Sequence, residues 1–147
     1  PASPEDLVHH TGLLLETVMH PATQVLRKNG AVSSVLCWKE VFTTHDQMTL
    51  RELVLSSLGI TVDLYAGHVL PEIRSGRLVP IMPGWRREPW QMSVVTRWEA
   101  EARSKALADF AAHVALAAES TWAPIREEAD QAVDEAFRRR LQSGSAS

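Results

Sequence analysis

The sequence predicts an α/β domain, and three features carry this prediction. Leu13, Leu14 and Leu15 form a continuous apolar run of the kind found in a strand buried on both faces, as in a parallel sheet. Residues 48–58 place apolar side chains at helical spacing, and Gly59 follows where such a helix would end. Residues 60–64 then alternate as a strand. A helix that enters a strand through a tight glycine turn is the recurring unit of an α/β sheet.

The first half of the chain supplies the other expected elements on either side of this unit. Pro4 suits the first position of a short helix. Residues 21–28 are expected to form a helix that Asn29-Gly30 ends as a C-terminal cap, and residues 32–41 carry the next strand signal. Thr44, with Gln47 three residues later, forms a capping-box pattern ahead of the central helix.

The second half alternates helices and strands before becoming fully helical. Residues 66–74 predict a helix, and residues 77–82 and 92–96 predict strands. A long helix is expected over 99–119, with one apolar face. Pro124 is expected to restart the chain as a separate final helix.

Composition bounds the class of protein. Of the 147 residues, 45% are hydrophobic and 22% are charged, which is the balance of a soluble globular domain. A formal charge of -3 argues against nucleic-acid binding by this piece alone, because such surfaces need an excess of Lys and Arg. No apolar stretch reaches the roughly 20 residues of a membrane span, and no signal peptide is apparent. We expect a soluble, cytoplasmic protein.

Motifs that carry chemistry are missing from the sequence. The six histidines show no metal-ligand spacing, so no metal site is expected. Cys37 is the single cysteine and lies in an apolar run, where inert packing is its usual role. Ser33 and Ser34 lack a nucleophile elbow, and no glycine-rich phosphate loop is present. We therefore expect no catalytic residue, no cofactor and no enzymatic activity.

Several segments, in order, resemble the effector-binding domain of LysR-type transcription regulators. They are PEDLVHHTGLLL at 4–15, LRELVLSSLGI at 50–60, LPEIRSGRLVPIMPGW at 70–85 and WRREPWQMSVVTRW at 85–98. The resemblance covers about the first 115 residues and leaves the tail at 121–142 outside. One departure concerns the segment Val62-Asp63-Leu64, which stands where the family commonly has a proline, so the loop there is expected to differ in shape.

This resemblance implies a periplasmic-binding-protein-like fold of type 2, with a central mixed sheet flanked by helices, and it places residues 1–98 in the second regulatory subdomain. From the sequence pattern itself we expect long C-terminal helices over residues 99–142 and a disordered tail at 143–147. It also implies a homodimer or higher homo-oligomer. Contact with DNA is expected only through a separate helix-turn-helix domain, which precedes this part in family members and is not present in these residues.

The resemblance further implies a small effector, usually a carboxylate or an aromatic acid, bound in the cleft between two subdomains. The loop after the first strand and the start of the main helix would contribute the contacts. The expected effector-binding residues are Thr17, Val18, Met19, His20, Thr43, Thr44, His45 and Gln47. A helix N-terminus presents unpaired N–H groups and partial positive charge, which suits an anionic ligand.

Other roles stay open for these residues. Thr44 and Gln47 are expected to cap their own helix, with or without a ligand. His20 and His45 suit turn positions, and Val18 and Met19 suit core filling.

A second function class also stays open. The chain would then be a truncated dimerisation or interaction module, in which the final helices pack on a partner chain through Ile125, Ala129, Val133 and Phe137. The basic and aromatic residues at 85–98 are expected to form a surface loop over a sheet edge rather than a site that stacks bases.

Overall fold

The structure is a computed structural model that describes residues 1–18, 21–89, 93–97, 99 and 103–144. The chain divides into two compact units. We call Pro1–Glu88 with Ala129–Ser147 unit 1, and Pro89–Glu128 unit 2. Each unit is described by itself below.

Unit 1 opens with a 3-10 helix, Pro4–His9, that leads directly into strand β1, Thr11–Leu15. Pro4 begins this helix as expected, and the Asp6 carboxylate accepts hydrogen bonds from the N–H groups of Ala2 (2.7 Å) and Ser3 (3.1 Å). Leu7 is completely buried, and β1 is buried from its second residue onward. The apolar run at 13–15 is therefore confirmed as an interior strand.

Strand β1 pairs in parallel with Glu40–Thr44, which is β4 in chain order. On its other side β1 bridges in parallel to Ile60, whose N–H donates to Thr11 O (2.9 Å) and whose carbonyl accepts from Leu13 N (2.8 Å). This arrangement places β1 in the centre. Parallel pairing with bonds on both edges agrees with the α/β class that the sequence predicts.

The prediction of a helix over residues 21–28 is wrong. Residues 21–26 form no regular element, and the chain enters a short antiparallel hairpin of β2, Arg27–Lys28, and β3, Ala31–Val32. Asn29 and Gly30 both have positive φ, 50° and 84°. An Asn-Gly pair with both residues left-handed is the favoured two-residue hairpin turn, so its function here is to reverse a strand and not to cap a helix.

The strand expected over residues 32–41 is not continuous. Its two ends belong to β3 and β4. Residues 33–39 lie between β3 and β4 without regular structure. Cys37, expected to be packed inside, is exposed, and its thiol donates to Val35 O (3.6 Å). The run is apolar in composition, but without strand pairing it has no buried face to offer this side chain.

Helix α1, Gln47–Leu55, begins two residues later than the capping-box pattern predicts. Its N-cap is Asp46, whose carboxylate accepts from Thr49 N (2.7 Å) and Thr49 Oγ1 (2.9 Å). Thr44 ends β4 instead, and Gln47 turns its side chain away from its own helix. The cap prediction is wrong because Asp46 lies closer to the free N–H groups and carries the charge that they favour.

Three expected strands do not form in the part of the chain that the structure describes. Residues 60–64 contribute the single bridge at Ile60, because the Asp63 side chain turns into the interior to make hydrogen bonds. Residues 77–82 have no regular structure, since Pro80 lacks an N–H and Met82 has a φ of 53°. Of the strand expected at 92–96, residues 93–96 also lack regular structure, and Met92 lies outside the described residues.

The helices that follow largely match expectation. A 3-10 turn, Ala66–Val69, precedes α2, Leu70–Ser75, and Gly76 ends α2 with a φ of 76°. The final helix, α3, runs over Lys105–Gly144 with Pro124 inside it. The expected restart at Pro124 is thus wrong. Proline removes one backbone N–H, and the residues on both sides of it are good helix formers.

Among the residues that the structure describes, two apolar clusters contribute to the core of unit 1. The first is centred on Leu7, Leu26 and Met82, with Trp38 and Trp85 packed against it. The second packs α2 against α3 and contains Val69, Ile73, Ala132, Val133 and Ala136. Arg139 of α3 donates to the carbonyls of Arg74 (3.1 Å) and Ile73 (3.4 Å), which binds the two helices at the end of α2.

Candidate functional site

The candidate site lies where β1 and β4 end. Because the two strands are parallel and in register, Leu15 pairs with Thr44, and the segments that follow leave the sheet at the same edge. Glu16 N donates to Thr44 O (2.9 Å), which extends the pairing by one residue. Ligands in open α/β sheets gather at this carboxyl edge. The structure therefore brings together the two segments that the sequence singled out.

The loop after β1 supplies two described residues of the predicted site. Thr17 is half-buried, whereas Val18 is fully exposed, with a relative accessibility of 103%. Val18 consequently does not fill the core. Met19 and His20 lie outside the described residues.

The segment after β4 lies directly against this loop. The Nδ1 atom of His45 contacts the carbonyl oxygen of Glu16, and the imidazole is exposed. Thr43 is exposed and Thr44 is half-buried, with its Oγ1 accepting from Asp46 N (3.3 Å). His45 is thus a turn residue that connects the segment after β4 to the loop after β1. Its imidazole ring remains exposed at the carboxyl edge of the sheet.

Gln47 joins the start of α1 to a third segment. Its amide nitrogen donates to Asp63 O (2.9 Å), and its Oε1 accepts from Tyr65 N (3.5 Å). These bonds use both ends of the side-chain amide. Gln47 therefore holds the 63–65 backbone in place, and its predicted direct contact with an effector stays a prediction.

Asp63 is the polar residue of this edge that the sequence analysis missed. It is 1% exposed, and its carboxylate accepts from Leu15 N (3.1 Å) and from the hydroxyl of Thr23. Thr61 Oγ1 accepts from Asp63 N (3.1 Å). The signal was present in Val62-Asp63-Leu64, because a carboxylate in an alternating apolar segment needs buried partners. Asp63 fixes the end of β1 and anchors the loop through Thr23.

The start of α1 carries a negative charge from the protein itself. Hydrogen bonds from the backbone and hydroxyl of Thr49 lower the pKa of Asp46, so its carboxylate is ionised and occupies the first turn of α1. Glu16 adds a second exposed carboxyl group at the end of β1. The helix dipole is therefore already compensated by a side chain of the protein.

The described residues contain no cluster of His, Cys, Asp or Glu able to hold a metal ion. Within the same part of the chain, no helix has the length and apolarity required to cross a membrane.

Comparison with known protein families identifies the family of this chain. The model of the LysR substrate binding domain matches residues 1–119, most of the chain. The chain belongs to the LysR substrate-binding domain family. The resemblance carried by residues 4–15, 50–60 and 70–98 is thereby confirmed. A search of the curated proteins gives no match.

Membership in the LysR family fixes the coarse features of fold and function. It implies the periplasmic-binding-protein-like fold, and the mixed helices and strands of the structure agree with it. LysR substrate-binding domains are effector-binding parts of transcription regulators and not of enzymes. The matched region ends at residue 119, so the part of α3 from residue 120 onward lies beyond it.

Proposed function

We propose that this chain senses a small molecule at the edge formed by the ends of β1 and β4, and that occupancy is relayed to a DNA-binding domain. The observation that carries the proposal is the in-register pairing of Leu15 with Thr44, which gathers the loops at 16–18 and 43–47. Three hydroxyl and imidazole side chains, those of Thr17, Thr43 and His45, stand on these loops. A ligand that closes a cleft against them shifts the population of regulator conformations.

The charges at this edge restrict how such a ligand lies. Asp46 and Glu16 present carboxylates, so the ligand turns hydrogen-bond donors, such as hydroxyl or amino groups, toward them. The carboxylate or aromatic acid expected from the family stays a prediction. An aromatic hydroxy acid satisfies both conditions if its acid group points toward the opposite side of the cleft.

A thermal-shift panel tests the proposal on the full chain. Hydroxybenzoates, benzoate, simple amines and neutral polyols are added at millimolar concentration. A ligand present at 100 times its Kd stabilises the folded state by about 2.7 kcal/mol, a readily measured increase in Tm. We expect a hydroxybenzoate to give a larger increase than benzoate.

Variants locate the response. Thr44→Val and His45→Ala should weaken the ligand-dependent increase in Tm, while Thr121→Val, an exposed change on α3, should leave it intact. Equal increases in all three variants would place binding elsewhere. A panel in which nothing raises the Tm of the wild-type chain would contradict effector sensing by these residues.

Self-association is the second candidate function, and exposed apolar residues favour it. The face of α3 that was predicted to pack on a partner chain is largely buried within unit 1. Ala129 is 3% exposed, and Val133 packs against the second core cluster. In unit 2, by contrast, Phe110 and Leu116 are exposed by 64% and 69%. Exposed apolar side chains of this size are typical of protein interfaces.

The mass of the chain in solution tests this second candidate. Native mass spectrometry of the wild type should give a dimer, and Phe110→Asp should convert it to a monomer. Lys105→Gln on the same helix serves as the control and should leave the dimer intact. A monomeric wild type would remove the candidate.

A further inference from the structure

Unit 1 contains an open cavity of about 690 Å³, and all the residues that line it belong to this unit. The volume lies within the range of roughly 300–1,000 Å³ that is typical of pockets for small organic ligands. None of the effector-site residues expected from the sequence lines the cavity, whereas His10, just before β1, does. The cavity is therefore separate from the β1 and β4 edge and has the size of a small-molecule site.

The wall of the cavity is mainly apolar and reaches the interior of unit 1. Leu26 and Met82 of the first core cluster line it, and so do Val69 and Ile73 of the second. Each of these four side chains is at most 5% exposed. The Trp85 indole lines the same wall. An apolar ligand body placed here would contact both clusters, and its removal from water would favour binding.

The charged groups at the cavity compensate one another. Among the described residues, three guanidinium groups line it and three aspartates stand against them, namely Arg77, Arg86 and Arg87 with Asp63, Asp130 and Asp134. Arg86 makes an ion pair with Asp130. Burial lowers the pKa of the half-buried Arg87 guanidinium, and the negative charge of Asp63 opposes this shift. The wall therefore offers no excess charge to an ion of either sign.

Polar backbone groups stand beside this apolar wall. Residues 77–82 form no strand, although Val79 and Ile81 line the cavity. In the part of the chain that the structure describes, the N–H and C=O groups of these two residues have no backbone partner. A hydroxyl or carbonyl group of a ligand can bond to such groups without carrying a charge.

We propose that this cavity is a binding site for a neutral amphipathic molecule, whose apolar body contacts the two core clusters and whose hydroxyl or carbonyl group bonds to the backbone of Val79 or Ile81. The proposal is independent of effector sensing at the β1 and β4 edge. It assigns the cavity to a ligand class that the wall selects by apolar contact and by its balanced charges.

Three probes with the same eight-carbon chain test the charge selectivity on the full chain. Octanol is neutral, octanoate is an anion and octylammonium is a cation. Each competes with N-phenyl-naphthylamine, a neutral dye whose fluorescence rises in apolar surroundings, and the competition gives its Kd. We expect octanol to bind about tenfold more tightly than either ion, because an ion that enters an apolar site without a partner loses hydration.

A series of alcohols tests the apolar contact. Butanol, hexanol and octanol share one hydroxyl group and differ only in chain length. We expect affinity to rise roughly fourfold for each added CH2 group, which corresponds to about 0.8 kcal/mol of transfer free energy. Equal affinities along the series would contradict burial of the chain against the core clusters.

Two matched tryptophan variants locate the binding site. Val79→Trp enlarges an exposed side chain of the lining and should abolish binding of octanol and of the dye. Val35→Trp makes the same change at an exposed residue outside the lining and should leave both affinities unchanged. Melting curves establish that the variants compared are folded. Unchanged octanol binding in Val79→Trp would place the site elsewhere.

Two charge variants test the balance of charges. Asp134→Asn removes one negative charge from the lining, so octanoate should bind severalfold more tightly while octanol binding stays unchanged. Glu40→Gln makes the same change in net charge on β4, outside the lining, and should leave octanoate binding unchanged.

The order of affinities in the wild type decides the proposal without any variant. Octanoate or octylammonium binding as tightly as octanol would overturn it, and so would unchanged octanoate binding in Asp134→Asn. Thr44→Val, at the β1 and β4 edge, should leave octanol binding unaffected. Failure of this proposal and failure of the effector proposal are therefore separate results.

Discussion

The Asp63 carboxylate accepts a hydrogen bond from the backbone N–H of Leu15 at 3.1 Å, across 48 residues of sequence. This bond closes the end of the central strand β1, where no further strand residue is available as a partner. The same carboxylate accepts from Thr23, at the far end of the loop that follows β1. One buried side chain thus fixes both the end of β1 and the loop of the candidate effector site.

Asp63→Ala should lower the free energy of unfolding by about 1–3 kcal/mol, because it leaves the buried Leu15 N–H and the half-buried Thr23 hydroxyl without an acceptor. Asp63→Asn should have less than half this effect, since its side-chain oxygen can still accept from Leu15 while its amide donates to Thr23. Urea unfolding followed by circular dichroism measures both changes.

Asp134→Asn is the matched control, because this aspartate is exposed on α3, and it should change stability by less than about 0.5 kcal/mol. If Asp63→Ala were as stable as this control, the carboxylate would not be organising the end of β1. Ligand-induced Tm increases in Asp63→Asn would additionally show whether the loop conformation matters for effector binding.

The ion pair between Arg51 on α1 and Glu72 on α2 gives a second prediction. Glu72 is 5% exposed, one of its oxygens contacts Arg51, and the other has no hydrogen-bond partner in the described residues. Arg51→Met should lower the free energy of unfolding by about 3–5 kcal/mol, because it leaves an uncompensated buried carboxylate. Urea denaturation gives the difference.

The double variant Arg51→Met with Glu72→Met separates the charge effect from loss of packing. We expect it to recover most of the lost stability, since replacing a buried pair with apolar side chains of similar volume is often neutral. Additive losses in the two single variants and the double variant would contradict this account.

Sequence reasoning located the elements whose patterns are local. The apolar run at 13–15 and the helix expected at 66–74 follow from burial and backbone geometry within a few residues. Family resemblance then brought the ends of β1 and β4 together, and the register of Leu15 with Thr44 agrees with that expectation.

Three of the errors share a physical cause, because each depends on a partner distant in sequence. Asn29-Gly30 suits a helix end or a hairpin, and pairing of Arg27 with Arg86 accompanies the hairpin. Asp63 can turn inward only because Leu15 and Thr23 meet it. Residues 77–82 lack the pairing that would make their apolar composition a strand. None of these partners is specified by local pattern.

The contact between Gly12 and Trp38 gives a third prediction. A Cβ atom on Gly12 would lie 2.5 Å from a ring carbon of Trp38, closer than atoms can approach. Gly12→Ala should therefore lower the free energy of unfolding by about 1–3 kcal/mol through overpacking. Chemical denaturation measures the change.

Trp38→Leu provides the control for this contact, because a smaller side chain leaves room for the new methyl group. Adding Gly12→Ala to Trp38→Leu should lower stability by less than it does in the wild type. The same loss in both backgrounds would show that the β1 backbone, and not the indole, rejects the substitution.

Asp46 gives a prediction that depends on pH. Hydrogen bonds from Thr49 lower its pKa below the ordinary value of 3.8, so the unfolded chain binds a proton more readily than the folded chain does. Stability from the charged cap is therefore fully present above the unfolded-state pKa and is lost as pH falls through the folded-state pKa. Asp46→Asn keeps a capping oxygen without the charge, so it should be less stable than the wild type at pH 7, and this difference should shrink as the pH falls below 3.8.

Urea unfolding of both proteins at pH 7, 5, 4 and 3 measures this difference. Thr49→Ala removes one of the two donors to Asp46, so in that background the pH dependence of the Asp46→Asn effect should shrink. A stability difference between wild type and Asp46→Asn that stays constant from pH 7 to pH 3 would show that an ionised cap does not stabilise α1. In that case the negative charge of Asp46 would not govern how an effector lies at this edge, and the orientation proposed for the ligand would have to be revised.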